Sequence, residues 1–170
     1  MILLYRLILS CVCCLLLLAG NFFQGEAAAS IHTYPEAATQ TMYRSRLSVQ
    51  DNQNQAWQLI LFKRLASGQV QDFNLRLVGF PGQVAIAHPS PLTLEDSHQH
   101  QWFADDITLQ DPQLEPVTQS VGQYDVLMMM QTLDYAERME LKVTLENDDS
   151  RILIVPQYMV KEWLQLQDMA

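Results

Sequence analysis

Ala56-Trp57-Gln58-Leu59-Ile60-Leu61-Phe62-Lys63-Arg64, entered from the turn-forming Asp51-Asn52-Gln53-Asn54, is the stretch that decides the fold. It is dense in aromatic and aliphatic residues and too short between its breakers for a helix, so it reads as a largely buried strand. Upstream, Thr41 to Val49 alternates, with Met42, Arg44, Arg46 and Ser48 on one face and Tyr43, Ser45, Leu47 and Val49 on the other. Asp and Asn favour the turn between them because their side chains bond backbone amides two residues on. A hairpin results. Downstream, Ser67-Gly68 interrupts, and the pattern resumes with Phe73, Leu75 and Leu77 inward against Asn74 and Arg76 outward, which makes a three-strand antiparallel meander.

Gly79-Phe80-Pro81-Gly82 ends the meander, since proline cannot donate to a central ladder. Val84 to Ala87 is expected as a short strand, stopped by His88-Pro89-Ser90-Pro91. Leu92-Thr93-Leu94 starts another strand, Glu95 to His100 is a polar turn, and Gln101 to Ala104 follows. Leu109 to Gln123, with Pro112, Pro116 and Gly122, is predicted to be a surface loop. Asp125 is expected to cap a short helix reaching about Leu133, with one or two of Met128, Met129 and Met130 packed inward. Met139 to Leu145 alternates, Asn147 to Ser150 is a turn, and Ile152-Leu153-Ile154-Val155 completes a second hairpin. Pro156 then opens a terminal helix to about Gln167, with Met159, Val160, Trp163 and Leu164 on one stripe. The expected class is mainly β (α+β): an antiparallel meander forming a sandwich or partly open barrel, with a short internal helix and a C-terminal helix.

At the start of the chain stand Met1 to Arg6, an apolar run from Leu7 to Ala19 and the small residues Ala27-Ala28-Ala29. This is the pattern of a secretory signal peptide over residues 1–29, with an uncleaved anchor as the alternative. Residues 30–170 then form one domain, long enough to close a core without disulfide staples. All three cysteines (Cys11, Cys13, Cys14) fall within the leader, so the exported domain carries no thiol. Export places it outside the cytoplasm.

Charge is uneven. From Ser30 to Ser90 five basic residues (Arg44, Arg46, Lys63, Arg64, Arg76) face three acidic ones; from Pro91 to Ala170 four face fifteen. A net charge of −9 repels phosphate backbones, so nucleic acid is not an expected partner. The five cations of the first half are the candidate protein-docking residues, unless they are simply solvated side chains that maintain solubility.

Catalytic chemistry is sparse. There is no G-x-S-x-G elbow, Walker loop, G-x-G-x-x-G or H-E-x-x-H. His98 and His100 would share a face on a strand and could bind Zn²⁺ or Cu²⁺ with a carboxylate as third ligand. In the hairpin turn that the surrounding sequence favours, the same spacing has no such consequence. Tyr43, Trp57, Phe62, Phe73, Phe80, Trp102, Phe103 and Trp163 either fill the core or line a pocket for an apolar small molecule. No cofactor is expected, and the chain reads as a monomer.

The runs Met42-Tyr43-Arg44-Ser45-Arg46, Ala56 to Arg64 and Leu75-Arg76-Leu77-Val78-Gly79-Phe80-Pro81-Gly82 carry a resemblance, together with His88-Pro89, Val121-Gly122-Gln123-Tyr124-Asp125 and Glu162-Trp163. Across nearly all of residues 30–170 the chain resembles an uncharacterised family (a domain of unknown function) of exported cyanobacterial proteins. The resemblance implies a phototroph source and a site in the periplasm or thylakoid lumen, and transfers no catalytic role. Two expectations follow. One is a non-enzymatic accessory protein that docks on a membrane or photosynthetic complex through Arg44, Arg46, Lys63, Arg64 and Arg76 or through the Leu77 to Gly82 corner. The other is a carrier of an apolar ligand or a metal, the latter at His98 and His100.

Overall fold

In the computed structural model residues 31–114 and 118–170 are described. The expected signal peptide over 1–29, its cysteines, and residues 115–117 of the expected loop lie outside the described residues. The strands are β1 (His32–Ala37), β2 (Gln40–Gln50), β3 (Ala56–Ala66), β4 (Gln69–Val78), β5 (Leu92–Asp96), β6 (Gln101–Asp106), β7 (Val121–Asp125), β8 (Met139–Thr144) and β9 (Ser150–Val155); the helices are α1 (Leu127–Thr132) and α2 (Gln157–Gln167). Every pairing is antiparallel, in the order β1-β2-β3-β4-β7-β6-β5-β8-β9.

This is the mainly β class read from the sequence. The sheet curls without closing: at one end Asp51 bridges to Leu153 of β9, and the amide of Asn52 donates to the Ile152 carbonyl at 2.9 Å. Inside the curve Leu59, Leu61, Leu75, Leu77, Leu92, Leu94 and Leu141 are buried, as the period-two pattern requires. α2 covers β2 and β3 from within, its stripe being Met159, Val160, Trp163 and Leu166; Leu164, expected on that stripe, is only half-buried.

Three features depart from expectation. β1 is a strand in a segment where the sequence pattern indicates none: its residues are mostly exposed, and β2 holds it by backbone pairing and by Arg44 stacked 4.3 Å from the Tyr34 ring centroid. Val84 to Ala87 forms only an isolated bridge, Ile86 to Leu145. The end of the expected 109–123 loop is strand β7, which inserts beside β4. Gly122 of β7 leaves room for the Tyr124 ring two residues along the same strand, since a Cβ there would stand 2.7 Å from the Tyr124 hydroxyl oxygen.

Two carboxylates build turns the same way. Asp51 Oδ1 accepts the amides of Gln53 and Gln55 at 2.8 and 2.9 Å, and Asp96 Oδ1 accepts those of His98 and His100 at 2.8 and 2.9 Å. Asp125, expected to cap α1, stands one residue before the cap position, which Val126 occupies, and its Oδ1 accepts the Leu127 amide at 2.9 Å. Met129 and Met130 pack inward from it, whereas Met128 is exposed.

A candidate docking face

Cross-strand partners share a face, so the registers of β2, β3, β4 and β7 lay out the convex side of the sheet as rows. The first is Ser48, Gln58 and Val78; the second is Arg46, Ile60, Arg76 and Gln123. A third row holds Arg44, Phe62, Asn74 and Asp125, with Asp105 of β6 opposite Asp125, and a fourth holds Met42, Arg64 and Asp72. Phe62 is 3% exposed although it faces outward, because the guanidiniums of Arg64 and Arg76 roof it at 4.9 and 5.5 Å from the ring centroid.

The arginines on this face fall into two groups. Arg64 Nε lies 3.0 Å from Glu36 and its Nη1 3.6 Å from Asp72. Arg76 Nη2 lies 3.1 Å from Asp111, and its Nε bonds Gln123 Oε1 at 2.9 Å. Burial pulls the Arg76 guanidinium below its ordinary value, with Asp111 opposing. Burial likewise raises the Asp72 carboxyl against the pull of Arg64. These two cations are neutralised in place. Arg44, by contrast, is half-buried against the ring and hydroxyl of Tyr34 with its Nε enclosed, Arg46 is exposed, and neither has a carboxylate partner among the described residues.

Lys63 does not join the face. Alternation along β3 turns it inward, where it is 5% exposed and its Nζ donates to the carbonyls of Gln167 and Met169 at 2.7 and 2.5 Å. It caps the C-terminal end of α2, whose last carbonyls lack helical partners. Its membership of the expected docking set is therefore corrected. Burial also lowers its pKa, with Asp168 opposing.

Two hollows mark the convex side. A groove of about 280 Å³ is lined by Ser48, Ala56, Gln58, Val78 and the Gly79-Phe80-Pro81 corner, with the edge of Trp57 reaching it from the core side. It adjoins the first row, so Arg46 stands one same-face step from its floor, and Phe80 at its rim is 58% exposed. Gly79 holds the corner tight: a Cβ there would meet Val84 Cγ2 at 2.3 Å. A cleft of about 510 Å³ lies at the other end, lined by Arg64, Asp72, Asn74, Asp111, Gln123 and Asp125 among others. Ile107 and Pro112 add apolar surface, but most of the lining side chains are charged or amide groups, which a wholly apolar ligand would leave without partners.

The histidines separate into two environments. His98 and His100 sit in and just after the β5–β6 turn with exposed side chains. His98 Nδ1 faces Glu137 at 3.3 Å, and His100 Nδ1 faces Asp96 at 3.6 Å. Among the described residues no group of three or more His, Cys, Asp or Glu is placed to hold a metal. Asp96 is tied down otherwise: burial pushes its carboxyl up, but the Tyr135 hydroxyl and the amides of His100 and His98 outweigh it and leave the pKa lowered.

His88, which sequence reasoning passed over, is the enclosed one. Nδ1 lies 2.7 Å from Asp106 Oδ2 and Nε2 lies 3.1 Å from the Val121 carbonyl oxygen. Asp106 also accepts the Ser90 amide at 3.1 Å and both the amide and hydroxyl of Thr108 at 2.9 and 2.5 Å. Burial would raise the Asp106 carboxyl, but these donors bring it down to about 2. Both imidazole nitrogens are occupied, so the pair ties the segment before β5 to β6 and β7 and has no free lone pair for proton transfer. The sole local hint in the sequence is the Asp106-x-Thr108 spacing of a side-chain-capped turn.

The sequence family described as protein of unknown function, DUF3122, matches residues 29–166. The chain belongs to the DUF3122 family. No curated protein and no solved structure matches it. The match in this DUF3122 member spans every strand of the sheet and all but the last residue of α2, so the convex face and its two hollows lie within the family's own domain.

Proposed function

We propose that this chain is an exported, non-enzymatic accessory protein that docks on a protein partner at a membrane complex through the convex face of β2 and the adjoining Phe80 corner. The observation that carries the reading is the contrast among arginines: Arg64 and Arg76 are neutralised by carboxylates, whereas Arg44 and Arg46 present charge with no such partner among the described residues. Of the two candidate regions read from the sequence, Arg46 and the Phe80 corner adjoin, because Ser48, one same-face step from Arg46, lines the groove with Phe80. Export is supported by the leader pattern of residues 1–29 and by a family match that starts at residue 29. A photosynthetic complex is proposed on the sequence resemblance alone.

The non-enzymatic part is supported by His88, whose two nitrogens are both engaged. A carrier of an apolar molecule has less support: Tyr43, Phe73 and Trp163 pack into the core, Phe62 is roofed by arginines and Phe103 is exposed, while Trp57 and Phe80, which do share a hollow, border an open groove and not an enclosed void.

The test is affinity recovery from solubilised source membranes. Arg44→Glu with Arg46→Glu should abolish co-purification of the partner while the circular dichroism spectrum stays that of the parent, and Arg46→Glu alone, which removes no side-chain contact among the described residues, should weaken recovery with the unfolding midpoint unchanged. Undiminished recovery by the double variant rejects the reading.

A further inference from the structure

Resting on that docking reading, we infer that the partner presents an extended acidic segment in which an apolar side chain and two carboxylates occupy alternate positions. The groove, Arg46 and Arg44 follow one another along β2 at same-face steps, and same-face residues on a strand are spaced by about 6.6 Å. An extended segment lying along β2 projects its own same-face side chains at that interval. One apolar residue then enters the groove against Val78, Phe80 and Pro81, the next same-face residue meets Arg46, and the one after meets Arg44. The match is one of period.

The volume argues for a side chain in the groove. The groove, at about 280 Å³ and open to solvent, lies at the lower edge of the roughly 300–1,000 Å³ of small-molecule sites and would leave much of such a ligand uncovered, whereas one apolar side chain fits within it. Charge argues for carboxylates. Guanidinium forks pair bidentately with them, and Arg46 has no carboxylate on its own chain to compete among the described residues. It also argues against an anionic lipid surface: the net charge is −9, and Asp72, Asp125 and Asp105 occupy the same convex side within a few strands of the two arginines. A membrane plane meets those carboxylates as well as the arginines, whereas a single extended segment along β2 avoids them.

The experiment is an NMR titration of the purified protein with short synthetic peptides. The first carries Leu, Glu and Glu at alternate positions among serines; the second carries the same residues with the glutamates adjacent. The first should give saturable amide shifts confined to β2, β3 and residues 79–82. The second should bind about tenfold more weakly, the equivalent of roughly 1.4 kcal/mol for one lost charge-assisted contact. Phe80→Ser should weaken the first peptide about tenfold and leave its salt dependence unchanged, whereas Arg46→Glu should remove binding. Equal affinity for both peptides, shifts located elsewhere, or binding to phosphatidylglycerol vesicles with no peptide response overturns the inference. Loss of partner recovery in the Arg44/Arg46 double variant, combined with no peptide response, overturns the segment and leaves docking standing; undiminished recovery overturns both.

Discussion

Asp106 and His88 are locked in one charge state by their surroundings. The imidazole faces two acceptors, the carboxylate at 2.7 Å and the Val121 carbonyl at 3.1 Å, and can satisfy both only as an imidazolium. The hydrogen bond to Asp106 raises the His88 pKa above its ordinary 6.5; burial opposes it, and the charges of Asp106 and Glu146 add to it. The two side chains are 10% and 3% exposed, so solvent screens the pair little.

Stability should therefore fall off on both sides of a plateau. A raised histidine pKa contributes stability that is complete below 6.5 and is lost as pH climbs through the folded value; a carboxyl lowered from 3.8 to about 2 contributes stability present above 3.8 and lost as pH drops toward 2. The acid limb amounts to about 2 kcal/mol, from a shift of nearly two units at ~1.4 kcal/mol each. Urea unfolding across a pH series should show the alkaline limb in the parent and not in His88→Gln. Identical profiles would show that His88 is neutral in the fold. Asp106→Ala, which strands the imidazolium, should cost about 3 kcal/mol or more near pH 6.

Asp51 ties the β2–β3 turn to the core and to β9. Besides its two turn amides it accepts Trp57 Nε1 at 3.0 Å, and Arg151 Nε lies 3.5 Å away. Asp51→Ala should cost about 2–4 kcal/mol and change the Trp57 fluorescence, whereas Asp51→Asn, which keeps a side-chain acceptor, should lose about half as much. Equal losses in the two variants would show that the charge, and not the hydrogen bonds, holds the turn.

Lys63 separates fold from docking. Lys63→Met keeps the buried stem and removes two bonds to the end of α2, so stability should fall by about 1–2 kcal/mol and the last turn of α2 should exchange its amide hydrogens faster. Partner recovery should match that of the parent. Loss of the partner in a folded Lys63→Met protein contradicts the assignment of this residue to the inner face.

Much of this architecture was legible along the chain because one face of each long strand is buried. Alternation in β2 and β4 placed Tyr43, Leu47, Phe73 and Leu75 inward, and Asp125 announced α1 through its short polar side chain. β1 was not legible, since its polar, proline-containing sequence gains order only from the β2 edge and from contacts such as Arg64 with Glu36. The strand order was hidden for the same kind of reason: β4 pairs with β7, not with the strand that follows it, and no local pattern encodes a distant partner. At the site, composition grouped Lys63 with the arginines although period two already set it on the opposite face from Arg64. The pairing of His88 with Asp106 spans 18 residues and leaves no trace in spacing.

The insertion of β7 beside β4 also governs how the chain must be handled before it is whole. Until Val121 to Asp125 arrives, the Asn74 to Val78 part of β4 offers a row of bare amides and carbonyls flanked by Phe73, Leu75 and Leu77, a ready template for a foreign strand. A product truncated anywhere before residue 121 should accordingly be prone to aggregation, and the intact polypeptide needs its second half in place before its first half is safe.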